Sequence, residues 1–260
     1  MGRPPVLDYE GSDYRTRFWQ DQGRAYEDRV ERVALRRLLR PAGDSLIDIG
    51  AGYGRLADEF GGYRRVVLFD YSRSLLAEAA ERLGDDPRFI FAAGDWYRMP
   101  FVAGVFDALV QVRTIHHAAD VPALLAQLAR IARPDGHYVL EFASKRHLKA
   151  IGRYWLGRQA WSPFDPQPVE FARLNFDFHP GWMAAQLQAA GFRPGRRLTV
   201  SHFRHPLFKR LLPDGLLVGL DSLAQLSGDW WQLSPSVFLR SLAPAGNAAA
   251  PAGALFACPA

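Results

Sequence analysis

Cysteine is almost absent from this chain of 260 residues: Cys258 stands alone, which excludes an internal disulfide and any cysteine-based zinc site within the sequence. Long apolar runs are missing too. Nowhere do about 18 apolar residues follow one another, the length a helix needs to cross a bilayer, so no membrane span is expected. The opening MGRPPVLDYEG has no apolar stretch of the secretory type, and Val6 stands where a myristoylation signal has Ser or Thr. A reducing, cytoplasmic setting is the expectation. Nor does one sign of charge dominate. Lys and Arg number 32 against 27 Asp and Glu, a net charge of +5 scattered along the chain, which reads as a solvated surface ahead of a polyanion site. With 48% hydrophobic residues, the composition suits one α/β domain with a substrate-covering element rather than two full domains.

What the chain does have is LIDIGAGYGRL, from Leu46 to Leu56. The run Leu46 to Ile49 reads as a buried parallel strand. It enters a turn with glycines at alternate positions, Gly50, Gly52 and Gly54, and the following segment is expected to turn helical. A bulky ligand can lie against such bare backbone. The dinucleotide fingerprint GxGxxG would need a glycine where Arg55 stands. Asp48, two residues before Gly50, would repel a pyrophosphate but suits a ligand carrying an ammonium and a sulfonium.

Helix and strand signals alternate around this turn. A helix is expected over 25–40, stopped by Pro41 and Gly43, then strands at 46–49, 65–69, 89–93, 106–112 and 137–142. Ser72 and Asp120 are placed to cap the helices that follow the second and fourth strands. This rhythm implies right-handed βαβ crossovers and a parallel sheet covered on both faces. Beyond Phe142 the rhythm breaks into insertions at 143–179 and 201–233, separated by a helix over 182–190 and a strand over 196–200, with a last strand over 236–241. From Ala243 the composition collapses to Ala, Pro and Gly and predicts a flexible tail over 243–260.

Two further acids mark a cofactor site. Asp70, twenty residues after Gly50 at the end of the second strand, can accept from both hydroxyls of a ribose, or can simply cap the next helix. Asp95 opens GDWYRMPF, Gly94 to Phe101, after the third strand. The spacing DxGxGxG resembles motif I of the class I S-adenosylmethionine-dependent methyltransferases, and GDWYRMPF resembles the acidic loop ending in Pro-Phe of the same proteins. FDALVQVRTIHHAAD and LARIARPDGHYVLEF resemble their fourth-strand motif and fifth-strand turn. One departure is Asp135, where the family usually has glycine; a type I turn accepts it. The resemblance covers residues 45–142 strongly and 180–242 loosely, and best fits the ubiquinone-biosynthesis-like small-molecule group (methyltransferase type 11).

That resemblance implies a three-layer, Rossmann-like, seven-stranded, mostly parallel sheet with its last strand antiparallel, in a domain over 45–242 whose helical insertions form a lid. It implies S-adenosylmethionine as cofactor and S-adenosylhomocysteine as product, with Asp48, Gly50, Ala51, Gly52, Gly54, Asp70, Tyr71, Asp95, Trp96 and Val112 as contacts and no metal. His116 and His117, on the carboxyl edge of the sheet, are candidates for a general base, or pack locally. The segment 1–44 is expected to cap the site, with Tyr14, Phe18, Trp19 or Tyr26 near the methyl group and Arg24 near the cofactor carboxylate. Trp155, Trp161, Trp182, Trp230 and Trp231 would line an aromatic cavity for a small or medium organic acceptor, or serve as core of the added layer.

Three other readings stay open. Asp70 would serve NAD equally, as in a Rossmann oxidoreductase. KRHLKAIGRYWLGR, Lys145 to Arg158, interleaves bases with aromatics as an RNA methyltransferase would, although QVRT stands where a (D/N)PP(Y/F) motif belongs. A non-catalytic S-adenosylmethionine-binding protein would look the same in sequence. Monomer and homodimer are both compatible with it, and Cys258-Pro259 resembles the opening of a zinc-ribbon knuckle.

Overall fold

The computed structural model describes residues 4–6, 10–11, 24–246, 249–250 and 254–257. Helix α1 (Ala25–Leu38) buries Val30, Ala34, Leu35 and Leu38 on one face, with Glu27 and Asp28 in its first turn and Arg36 and Arg37 in its last, a charge order that complements the helix dipole. Strand β1 (Gly43–Ile49) follows and runs straight into the glycine turn. The helix expected next is only a 3-10 turn, Ala57–Phe60. Gly61 and Gly62 cut it short, and Gly62 packs so closely on the chain before β1 that an added Cβ would lie 1.9 Å from the Pro41 carbonyl oxygen.

Beyond this turn the elements come as predicted, with small shifts at their ends: β2 (Tyr63–Asp70), α2 (Arg73–Leu83), β3 (Phe89–Ala93), β4 (Phe106–Gln111), α3 (Val121–Ile131) and β5 (Ala132–Ala143). Ser72 Oγ accepts from the Leu75 amide at 3.3 Å and Asp120 Oδ1 from the Ala123 amide at 2.9 Å, so both predicted caps form. Asp135 departs from the type I geometry. It sits in the left-handed region at φ 54°, inside a β5 that starts five residues early, and pairs with Arg193. Asp is among the few residues that tolerate this region.

The C-terminal half contributes α4 (Leu148–Trp155), a hairpin of β6 (Val169–Ala172) and β7 (Asn175–Asp177), α5 (Pro180–Ala189), β8 (Arg193–Val200), α6 (Pro206–Leu211), α7 (Asp214–Ala224) and β9 (Ser236–Leu242). Sheet order is β3-β2-β1-β4-β5-β9-β8. The first five strands pair in parallel, and β9 runs antiparallel to both neighbours. One apolar cluster joins the sheet to α3 and α5 on one face, and a second joins it to α1, α2 and α7 on the other, which makes the three layers. The chain order reverses between β1 and β4, the switch point where open α/β sheets bind ligands outside their carboxyl ends.

The described residues of the tail do not hang free. Ala250 donates to Gly104, Ala257 donates to Pro100, and Leu255 accepts from Val102, all at 2.9–3.1 Å, while the Phe256 ring lies 5.4 Å from that of Phe101. Composition hid this because only Leu255 and Phe256 anchor a stretch otherwise made of small residues. Cys258 lies outside the described residues.

Candidate cofactor and acceptor site

The glycine turn is folded back on β2. The amides of Gly50 and Ala51 both donate to the Phe69 carbonyl, at 2.8 and 3.2 Å, and the Gly52 amide donates to Asp70 Oδ2 at 2.7 Å. All three glycines have positive φ, 74°, 53° and 72°, which L side chains rarely adopt. Gly50 is required twice over, because a Cβ there would lie 2.3 Å from the Thr114 methyl carbon, and Thr114 is held by a 3.1 Å bond from its hydroxyl to the Ile49 carbonyl. Gly54 faces away, toward Leu68, Leu83 and Arg82, so its role is in packing α2.

Two clefts open beside this turn. Asp48, Gly50, Ala51, Gly52, Asp70 and Val112, all expected cofactor contacts, line the first, together with Tyr53, Arg55, Leu56, Leu75, Arg113, Thr114 and His117. The second shares Gly50, Asp70, Thr114 and His117 and adds Phe69, Tyr71, Gly94, Trp96 and Val6. Tyr71 and Trp96 are thus brought to the site. Asp95 is not among the lining residues; one of its oxygens accepts from the Tyr97 amide at 2.9 Å, which fixes the loop that carries Trp96.

Asp48 is 3% exposed, and burial pushes its carboxyl up to about 7, with Arg55 pulling down and Asp70 pushing further up. Burial also raises Asp70, against the amides of Ser72, Gly52 and Tyr71 that favour its charged form. Asp70 is therefore a helix-associated acceptor and a cleft-lining acid at once. Two buried carboxylates facing one cleft, with the amides of Gly50, Ala51 and Gly52 already bonded and no α-helix N-terminus behind them, repel a pyrophosphate and favour a cation that also offers hydroxyls.

Opposite the acids stand two arginines that the motifs did not flag. Glu31 of α1, almost wholly buried, accepts from both Arg55 and Arg113, and Arg55 also pairs with Asp28. Arg113 has φ 59°, a strained conformation held by its amide donating to Glu141 Oε2 at 2.8 Å. The only sequence signal was its place two residues after β4, in QVRT.

A third, larger cavity of about 460 Å³ adjoins the first through Arg113. His116, Glu141, Asp177, His147, Trp161 and Phe171 are among its walls, with Arg153 and Arg204 at its rim. The two candidate histidines thus part company: His117 faces the cofactor clefts and His116 the large cavity, their rings 4.0 Å apart. His117 Nδ1 is 2.9 Å from the Leu174 carbonyl. Burial lowers both imidazoles, His116 further, with His117 and Arg113 adding to the effect. Burial raises Asp177 to about 6.

Tyr26, expected near the acceptor, is elsewhere. Its buried hydroxyl donates to Asp221 Oδ2 at 2.6 Å and accepts from the Phe203 amide at 3.0 Å, tying α1 to α7. Tyr14, Phe18 and Trp19 lie outside the described residues. Of the tryptophans, Trp161 lines the large cavity, Trp182 stacks on Phe178 as core, and Trp155, Trp230 and Trp231 are exposed.

Residues 47–140 match the family described as a methyltransferase domain. The chain is 36% identical over 121 residues to demethylmenaquinone methyltransferase of Mycolicibacterium vanbaalenii, covering 45% of this chain and 51% of that protein. It is 29% identical over 140 residues to 27-O-demethylrifamycin SV methyltransferase of Amycolatopsis mediterranei, covering 50% and 51%. The chain thus spans about half the length of these relatives. Among solved structures, an S-adenosylmethionine-dependent methyltransferase of Mesorhizobium loti superposes with a TM-score of 0.58 at 21% identity, over 82% of this chain and 97% of that one. The [4+2]-cyclase SpnF superposes with a TM-score of 0.59 at 18% identity, over 88% and 87%, so the fold is shared by more than one chemistry. The match over its central strands is thus to a methyltransferase domain, and its sheet shares the fold of an S-adenosylmethionine-dependent methyltransferase of known structure.

Proposed function

We propose that the protein transfers a methyl group from S-adenosylmethionine to a small or medium organic acceptor held in the large cavity. The observation that carries this reading is the pairing of buried Asp48 and Asp70 across a glycine turn whose amides are already bonded, a site suited to a cationic, hydroxyl-bearing ligand. Asp70 would take the ribose hydroxyls, Phe69, Tyr71 and Trp96 the flat base, Asp48 the ammonium, and Arg55 or Arg113 the carboxylate. The bound cofactor supplies a methyl group already activated by a sulfonium, so alignment of the acceptor does most of the catalysis, up to about 7–11 kcal/mol.

The chain's own part is to position the acceptor and take up its proton. His116 faces the acceptor cavity and is held neutral, so its imidazole can accept a proton from a hydroxyl or amine as the new bond to carbon forms. Trp161 and Phe171 give flat apolar contacts, and Arg153 and Arg204 favour an acceptor with anionic or electron-rich character. The acceptors named for the relatives, demethylmenaquinone and 27-O-demethylrifamycin SV, set the direction of a screen. Incubation with methyl-labelled cofactor and a panel of phenols, hydroquinones and amines should label at least one class. Tight cofactor binding without transfer to any acceptor would favour a non-catalytic role.

A further inference from the structure

Outside the site, the least explained feature is an apolar surface beside the mouth of the large cavity. Helix α4 buries Ala150 and Ile151 but turns Leu148 and Trp155 outward, Trp155 at 73% exposure. Helix α6 exposes Leu207 and Leu211 one turn apart. Trp230 is 82% exposed. These pieces lie close together: the Leu148 amide donates to Leu233, three residues after Trp230, and Arg153 of α4 and Arg204, just before α6, rim the same cavity.

Positive charge is interleaved with these side chains. Residues 145–158 carry Lys145, Arg146, Lys149, Arg153 and Arg158, and residues 202–212 carry Arg204, Lys209 and Arg210, with no acid in either stretch. Lys209 is paired with Glu27, but Lys149, Arg153, Arg158 and Arg210 form no ion pair among the described residues. Exposed Leu and Trp beside unpaired cations on short surface helices match a bilayer interface, where apolar side chains enter the acyl boundary and cations meet anionic headgroups. A second copy fits poorly, because twofold pairing of this face would set the four cations against their own equivalents.

We propose that α4, α6 and Trp230 dock the protein on an anionic lipid surface, with the mouth of the large cavity at the bilayer. No helix of the described residues is long and apolar enough to cross it. The docking stands apart from the methyl-transfer reading and can hold where that reading fails.

The test is flotation of the full chain with vesicles of phosphatidylcholine alone or mixed with phosphatidylglycerol, alongside light scattering without lipid. Binding to the mixed vesicles, strongest at low salt, is expected. The double variant Lys149→Glu, Arg210→Glu should bind them at least about thirtyfold more weakly, since each cation near the surface contributes about fivefold. Trp155→Ser with Trp230→Ser should weaken binding at every salt concentration. Both variants should keep the wild-type circular dichroism spectrum and urea midpoint, which shows that they fold. No flotation at low salt would overturn the proposal, as would flotation that neither variant changes. A lipid-free dimer dissolved by the tryptophan variant would assign the face to a second copy instead.

Discussion

Replacing Asp48 with Asn should make the ligand-free protein more stable while weakening its hold on the cofactor. A carboxyl of an unfolded chain titrates near 3.9, whereas buried Asp48 titrates at about 7. Between these values the folded protein keeps a proton that the unfolded chain has released, so folding stability falls as pH rises from about 4 to about 7 and is level above. The whole span corresponds to about 4 kcal/mol, of which about 2.5 kcal/mol is lost between pH 5 and pH 8. Asn has no proton to lose and keeps the shape. Urea denaturation of both proteins without ligand, at pH 5 and pH 8, should therefore show the variant gaining about 2.5 kcal/mol on the wild type over that interval. At pH 8 the variant should also bind S-adenosylmethionine about tenfold or more weakly, for want of a charged acceptor. Stability differences that stay constant between the two pH values would refute the buried-carboxylate reasoning.

Three shorter predictions follow from the same geometry. Asp70→Asn should cost about 10–100-fold in S-adenosylhomocysteine affinity by calorimetry, and Asp70→Ala should cost a further 1–3 kcal/mol or so of stability, because the Gly52 and Ser72 amides lose their acceptor; unchanged affinity would reduce Asp70 to a cap. Tyr26→Phe should destabilise by about 1.5–3 kcal/mol in denaturation, leaving Asp221 without its phenol donor, yet leave cofactor affinity unchanged; loss of affinity would return Tyr26 to the site. If His116 takes the proton, the acid limb of kcat at saturating cofactor lies below pH 6.5 and disappears in His116→Ala, whereas a limb above 6.5 in the wild type would rule this role out.

Much of the fold was legible in the sequence because its signals are local. The apolar strands, the caps at Ser72 and Asp120 and the glycine turn each need only neighbours within a few residues to declare themselves. The missing helix after Gly54 shows the limit of that reasoning. Leu56, Ala57 and Phe60 have helical spacing, but Gly61 and Gly62 leave room for a single turn, and the close approach that demands Gly62 comes from Pro41. Of the acids of the candidate site, Asp48 and Asp70 were legible because they lie at the carboxyl ends of β1 and β2, whereas Asp95, two residues past β3, does not line the clefts. Its arginines were not, since Arg113 and Arg55 meet on Glu31, 82 and 24 residues away in sequence. Tyr26 was misjudged for the same reason: its partner Asp221 is 195 residues distant, and an aromatic at a helix start looks alike whether it covers a ligand or joins two helices. Separation of His116 from His117 also depended on tertiary context, because it is the β7 hairpin carbonyl of Leu174, just before that strand, that takes His117.

The most direct test is calorimetric titration of the full chain with S-adenosylhomocysteine and, separately, with NADH at pH 8. Binding of S-adenosylhomocysteine, weakened in Asp48→Asn and Asp70→Asn, with no heat from NADH, is the expected result. Binding of NADH without S-adenosylhomocysteine would contradict the assignment of the glycine turn to a sulfonium cofactor and turn the site over to hydride transfer.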